Sequence, residues 1–226
     1  MTSRNGTAAI LFDIDGTLIS TGGAGAVAWR MAFEKLHGIP ADIGAFTDAG
    51  MTDPEVGRLT FRSVVGREPT AQELERLVAK RLMYLPRAVA ESTGYKVLAG
   101  VEQLLPRLTE EGYLLGLTTG GMEDAARVKL ERAGLNAYFT FGGYGSDSPD
   151  RAELTRHAVE RAEAIYGSGF HSRLCLVVGD TPHDIEAARS VDAVSVGVAS
   201  GHFTVEDLRD AGADHVIASL EGELPL

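Results

Sequence analysis

The 226-residue sequence contains one cysteine, Cys175, so no disulfide can form within the chain and its fold must rest on packing. Cys175 stands in an apolar run, where a thiol reads as a small core residue rather than a reactive group. No apolar stretch approaches the roughly 20 residues that a membrane span needs. The opening Met1-Thr2-Ser3-Arg4-Asn5-Gly6 lacks the long apolar segment of a secretory signal, so cytoplasmic residence without a membrane partner is the expectation. Basic residues are scarce: 21 Lys and Arg stand against 32 Asp and Glu, for a net charge of -11. No Lys or Arg run supplies the basic face that tracks a phosphate backbone, which excludes a nucleic-acid binder of that kind. The sequence also lacks internal repeats and low-complexity tracts, and no segment sets an oligomeric state. What is present, 44% hydrophobic and 23% charged residues, suits a globular chain with a substantial core.

Short apolar runs alternate with longer amphipathic stretches. The runs are 8–12, 113–117, 138–141, 174–178 and 193–199, with a weaker one at 215–218. Most are apolar on both faces, as parallel strands covered by helices must be. Helical patterns lie between them at 101–111, 123–133, 151–166, 184–190 and 205–211. Gly112, Gly134 and Gly212 follow three of these, where a left-handed cap residue is expected. The alternation predicts an α/β fold, a doubly wound parallel sheet of Rossmann-like form. One segment breaks the rhythm. From about Gly22 to Gly94 the periodicity is helical, with no convincing strand. It reads as an all-helical cap domain over residues 21–94, inserted after the first strand of an α/β core made of 1–20 and 95–226. Gly22-Gly23-Ala24-Gly25 is the expected hinge between them.

The string Asp13-Ile14-Asp15-Gly16-Thr17-Leu18 follows the first buried run. Residues two apart in extended chain point the same way, so Asp13 and Asp15 present paired carboxylates, and Gly16 permits a sharp turn. Two such carboxylates repel, and a hard divalent cation with oxygen ligands relieves this; Mg²⁺ is the usual ion beside phosphate. A carboxylate attacking phosphorus forms an acyl phosphate. Its neighbour two residues on can protonate the leaving oxygen and then activate water. Asp-rich turns that merely cap a helix are common, but the full six-residue string after a buried strand is far more specific.

These residues resemble the first motif of the haloacid dehalogenase superfamily, and of its phosphatases in particular, which Asp13 to Thr17 match in full. The resemblance implies an aspartyl-phosphate mechanism on a small phosphorylated metabolite, with Mg²⁺ as cofactor. The second motif is a Thr or Ser at the end of a later strand. In Thr118-Thr119-Gly120-Gly121 the spacing to Gly134 favours Thr119, whose hydroxyl would hold a phosphoryl oxygen beside the Gly120 amide. Relatives often carry Asn where this chain has Gly120. The fourth motif is matched by Gly179-Asp180-Thr181-Pro182-His183-Asp184, which implies metal ligation by Asp180, supported by Asp184, alongside Asp13 and Asp15. Asp184 also falls near a helix start, where an acid suits the dipole; His183 is expected to be a plain loop residue.

The third motif departs from the family, which places a Lys near a helix start. The stretch 145–151 has none. Arg151 is the candidate replacement, its guanidinium fork suited to phosphate, with Arg156 and Lys129 as weaker substitutes. In the cap, Gly50-Met51-Thr52-Asp53-Pro54 looks like a segment of phosphoglycolate phosphatase-like members. It implies substrate contacts from Thr52, with Arg58 as a further cation, and it also reads as helix capping by Thr52 or Asp53 with Pro54 in the first turn. A phosphoglucomutase keeps both Asp13 and Asp15 and stays open as an alternative. A phosphorylatable signalling domain, from a different class, shares the sheet, the acids and the Thr, but lacks the second Asp and the helical insert.

Overall fold

The computed structural model describes residues 8–226, and Met1–Gly6 lies outside the described residues. Its first strand, β1 (Ala9–Phe12), is buried on both faces. Ile10 and Phe12 pack into one hydrophobic cluster and Ala9 and Leu11 into another, as a two-residue period requires. The strand is thus covered by helices on each side, and its C-terminal edge is the first place where the chain can present polar groups.

The chain then forms β2 (Ile19–Thr21), α1 (Ala24–His37), α2 (Asp53–Val65), α3 (Ala71–Glu91) and β3 (Tyr95–Val97). The core continues with α4 (Val101–Glu110), β4 (Leu114–Thr119), α5 (Glu123–Glu131), β5 (Phe141–Tyr144), α6 (Arg151–Tyr166), β6 (Cys175–Gly179), α7 (Pro182–Ser190), β7 (Val194–Val198), α8 (Val205–Asp210) and β8 (His215–Ile217). Six strands make one sheet in the order β5-β4-β1-β6-β7-β8, with every pairing parallel. The doubly wound α/β expectation therefore holds. β1 lies between β4 and β6, so the turns leaving all three emerge side by side, where strand order reverses.

Two features differ from the sequence expectation. Residues Leu135–Tyr138 form a 3-10 turn, and the edge strand is Phe141–Tyr144 instead of 138–141. Its two glycines are demanded by neighbours: a β-carbon on Gly143 would lie 1.8 Å from the Leu154 carbonyl oxygen of α6. Second, β2 and β3 pair antiparallel as a short ribbon, Ile19 against Val97.

The helices α1, α2 and α3 lie between the two ribbon strands and share their own apolar cluster around Trp29, Phe33, Phe61 and Leu77. The chain enters and leaves this insert through Gly22 and Gly94, whose backbones approach so closely that a β-carbon on Gly22 would sit 2.4 Å from the Gly94 carbonyl carbon. Gly22 has φ +60° and Gly23 φ +85°, so this junction needs glycine on conformational grounds too. Among the described residues, no helix is long and apolar enough to cross a membrane.

Candidate active site

β1 ends and Asp13 begins where the sheet stops shielding the chain. The Asp13 amide still donates to Val178 of β6 at 2.9 Å, so the residue is fixed by the ladder while its side chain is freed from it. Gly16 turns the backbone at φ +91°, and a β-carbon there would lie 2.3 Å from the Asp180 carboxylate. The turn therefore needs glycine for its conformation and for the space beside Asp180. Asp180 follows β6 directly; Thr17, fully buried, donates to it at 3.2 Å.

Asp13, Asp180 and Asp184 converge. Each can offer one carboxylate oxygen such that all three lie within 4.8 Å of one another, and the residues are 4%, 2% and 2% exposed. Burial is the main force on Asp13, whose carboxyl is pushed up to about 7 against the pull of Arg151, with Asp184 and Asp15 adding like-charge repulsion. Asp180 rises to about 8, again first through burial and then through the charges of Asp13 and Asp184. Three carboxylates cannot all stay ionised here with one guanidinium as counter-charge. The donor set, buried oxygens with too little positive charge, fits a hard divalent cation.

Arg151 opens α6, as expected, and its side chain is 11% exposed. One nitrogen, Nη2, donates to Asp13 at 2.9 Å and also to Asp184, while Nη1 donates to the Gly50 carbonyl of the insert at 3.2 Å. Its buried Nε has no partner among the described residues. Asp184 has two roles at once: its other oxygen closes a capping box with Thr181 at the start of α7.

The second half of the site faces α5. Asp15 does not join the three-acid cluster; its carboxylate is 44% exposed and takes an ion pair from Lys129 at 2.5 Å. Sequence reasoning held Lys129 only as a substitute for Arg151; its pairing with Asp15, across 114 residues, has no local signal. Thr118 and Thr119 point to opposite faces of β4. The Thr118 hydroxyl is buried against Thr155 of α6 at 2.8 Å, whereas Thr119 accepts from the Gly121 amide at 3.3 Å. A β-carbon on Gly121 would stand 3.7 Å from the Thr119 hydroxyl and 3.8 Å from the Lys129 ammonium, so these groups share one corner.

The insert reaches this corner through residues 50–53. The Asp53 amide donates to the Gly120 carbonyl at 2.7 Å, and the Asp53 carboxylate accepts from the Met122 amide at 2.9 Å and from Arg81 at 2.7 Å. A β-carbon on Gly120 would lie 2.5 Å from the Met51 oxygen, which accounts for glycine where relatives often have Asn. Thr52 precedes α2 in extended conformation but makes no side-chain cap; its hydroxyl donates to Pro149 at 2.9 Å, tying the insert to the loop before Arg151. Arg58 does not reach the site. It is held on the insert surface by Glu55 and Glu68. A cleft of about 400 Å³ borders Gly50–Thr52, Pro149–Ala152 and the half-buried His183, which is not in the acid cluster.

A family model described as haloacid dehalogenase-like hydrolase matches residues 7–192. The chain is 29% identical over 219 residues to the phosphoglycolate phosphatase of Agrobacterium fabrum (strain C58 / ATCC 33970), covering 91% of this chain and 86% of that one. It is 28% identical over 213 residues to "Probable phosphatase IndB" of Dickeya dadantii (strain 3937), covering 89% and 85%. Among solved structures it resembles a hydrolase from Pseudomonas syringae, with a TM-score of 0.74 and 26% identity over 95% of this chain and 94% of the other.

Proposed function

The chain belongs to the haloacid dehalogenase-like hydrolase family, and we propose that within it the protein is a Mg²⁺-dependent phosphomonoester hydrolase for a small phosphorylated metabolite. The observation that carries this reading is the cluster of Asp13, Asp180 and Asp184 at one sheet edge, with Arg151 laid across Asp13.

In this reading an Asp13 oxygen attacks phosphorus and the ester P–O bond breaks in line. Asp15, hydrogen-bonded to the Lys129 ammonium, passes a proton from it to the departing alcohol oxygen. Asp15 then takes a proton from water as that water attacks the acyl phosphate, which releases inorganic phosphate and restores Asp13. Arg151 is set to receive a phosphoryl oxygen, since its Nε has no acceptor among the described residues. The Thr119 hydroxyl holds a second oxygen. Asp13, Asp180 and Asp184 would hold Mg²⁺, which supplies positive charge against the phosphoryl oxygens. The three helices of the insert act as the cap: residues 50–53 close over Gly120, beside the corner of Thr119 and Lys129.

The test is Asp13→Asn, assayed for phosphate release from an aryl phosphate with Mg²⁺ and with EDTA. The variant is expected to keep its far-UV circular dichroism and lose phosphatase activity, and EDTA to silence the parent. Full activity in Asp13→Asn would reject the nucleophile.

A further inference from the structure

Thr118 puts a hydroxyl into an apolar layer. On its face of β4, Leu114 and Gly116 meet the cluster that holds Leu11 and Phe141. Thr118 is 1% exposed, and its partner Thr155 on α6 is fully buried. A buried hydroxyl costs free energy unless it is hydrogen-bonded, and a valine of the same outline would not incur that cost. The proposed mechanism gives neither hydroxyl a task.

The two hydrogen bonds have a direction. Thr155 Oγ1 donates to the Arg151 carbonyl one helical turn back, at 2.9 Å. A hydroxyl has one proton to give, so in the 2.8 Å contact Thr118 is the donor and Thr155 the acceptor. A chain of hydrogen bonds thus runs from β4 through two side chains to the backbone of Arg151. The stability of α6 does not explain it, because a threonine bonded to the carbonyl four residues back slightly destabilises a helix. Nor does close approach. Gly143, paired with Thr118 across the sheet, already admits the Leu154 carbonyl. Apolar packing of that kind is non-directional and leaves the helix free to turn or slide, whereas a hydrogen bond restricts distance and angle together. The first turn of α6 is where this matters, since Arg151 reaches Asp13 at 2.9 Å, and Asp184, from there.

We propose that Thr118 and Thr155 are positioning residues, whose hydroxyls fix the backbone of Arg151 on the sheet so that its guanidinium meets the phosphoryl group beside Asp13. This deepens the phosphomonoesterase reading and rests on it. Neither threonine touches the substrate. Both act through Arg151, and a small shift of a preorganised donor is enough to lower the rate.

The test combines Thr118→Val with Thr155→Val, which removes both partners and keeps their shape. The Tm is expected to stay within about 3 °C of the parent. With Mg²⁺, kcat/KM on an aryl phosphate is expected to fall about tenfold, and the calorimetric dissociation constant of inorganic phosphate to rise by a similar factor. In an Arg151→Ala background the same pair of changes is expected to cost less than about twofold in either measure. A full loss in that background overturns the proposal, since the pair would then act through the adjacent Thr119 or the fold at large. Unchanged kcat/KM and phosphate affinity in the pair variant overturn it too. The single variants test the direction of the chain. Thr155→Val strands the Thr118 hydroxyl and is expected to have a lower Tm than Thr118→Val, which leaves Thr155 on the Arg151 carbonyl; the reverse order overturns the chain. Should the pair variant not fold, Thr118→Val alone carries the two activity measures, with Thr118→Ser expected to restore both. If the parent binds phosphate through Arg151 but hydrolyses no aryl phosphate, it is the hydrolase reading that fails, and phosphate affinity alone decides the role of the pair. A parent that binds no phosphate overturns both.

Discussion

The nitrogen that joins most of the chemistry is Nη2 of Arg151, which serves Asp13 and Asp184 together while its twin Nη1 holds the Gly50 carbonyl of the insert. A lysine has one nitrogen on a flexible stem and could not span the acid pair and the insert at once. Burial works against the Arg151 charge, but the Asp184 and Asp13 carboxylates outweigh it and hold the guanidinium in its charged form. Arg151→Ala is therefore expected to lower kcat/KM by about 10²–10³-fold, the range for loss of one preorganised transition-state donor. Arg151→Lys is expected to lose only about tenfold, since the charge near Asp13 survives and the Gly50 link does not. Steady-state kinetics on one aryl phosphate decides it: a loss under tenfold in Arg151→Ala returns the residue to a structural ion pair. Lys129 makes a parallel case. Lys129→Met removes the cation paired with Asp15, and kcat is expected to fall at least about tenfold with little change in KM, since Asp15 works on the reacting proton. An unchanged kcat would show that Asp15 needs no such support.

For the elements, the decisive contact is that of residues 50–53 against the loop after β4. It depends on Gly120 having no side chain, because a β-carbon would press on the Met51 oxygen at 2.5 Å and the Thr52 α-carbon at 2.9 Å, both backbone. Gly120→Ala is expected to cost about 1–3 kcal/mol of stability, as overpacking does, and to hold the insert off the core. Thermal unfolding should show a lower Tm, and kinetics a raised KM; unaltered values of both would mean that residues 50–53 adapt freely. The elements that carry the acids were legible in the sequence because each strand is apolar on both faces and ends at a motif. The short edge strand was not, since its glycines resemble a turn while in fact admitting α6. Nor was the Thr52 hydroxyl's destination: its cap geometry is local, but Pro149 lies 97 residues away. The same holds for charged partners. Arg58 looks like a site cation by spacing and pairs with Glu68 on the surface, whereas Arg81 carries no motif and is buried at the docking point. Spacing along a helix tells which residues share a face, not what tertiary packing brings against them.

Across the whole molecule the charge balance sets how stability responds to pH and metal. The net charge is -11, yet the acids that matter most are the three buried together at the sheet edge. Asp13 and Asp180, pushed up to about 7 and about 8, bind protons in the folded state at pH values where the unfolded chain has released them. The folded state then holds more protons than the unfolded one, and stability falls as pH rises. Their contribution is fully present below about pH 4, the ordinary carboxylate range, and is lost progressively as pH climbs through 7 to 8. A divalent cation reverses the slope, because it binds the ionised acids and competes with the protons. The metal-free protein in EDTA is therefore expected to have a higher Tm at pH 5 than at pH 8, and the rise in Tm on adding Mg²⁺ to be larger at pH 8. At a Mg²⁺ concentration of about 100 times its dissociation constant the gain is about 2.7 kcal/mol. Calorimetric scans at the two pH values, with and without Mg²⁺, check both signs. A Mg²⁺ effect equal at pH 5 and pH 8, or absent from both, would separate the acid cluster from metal binding and leave Arg151 as its counter-charge.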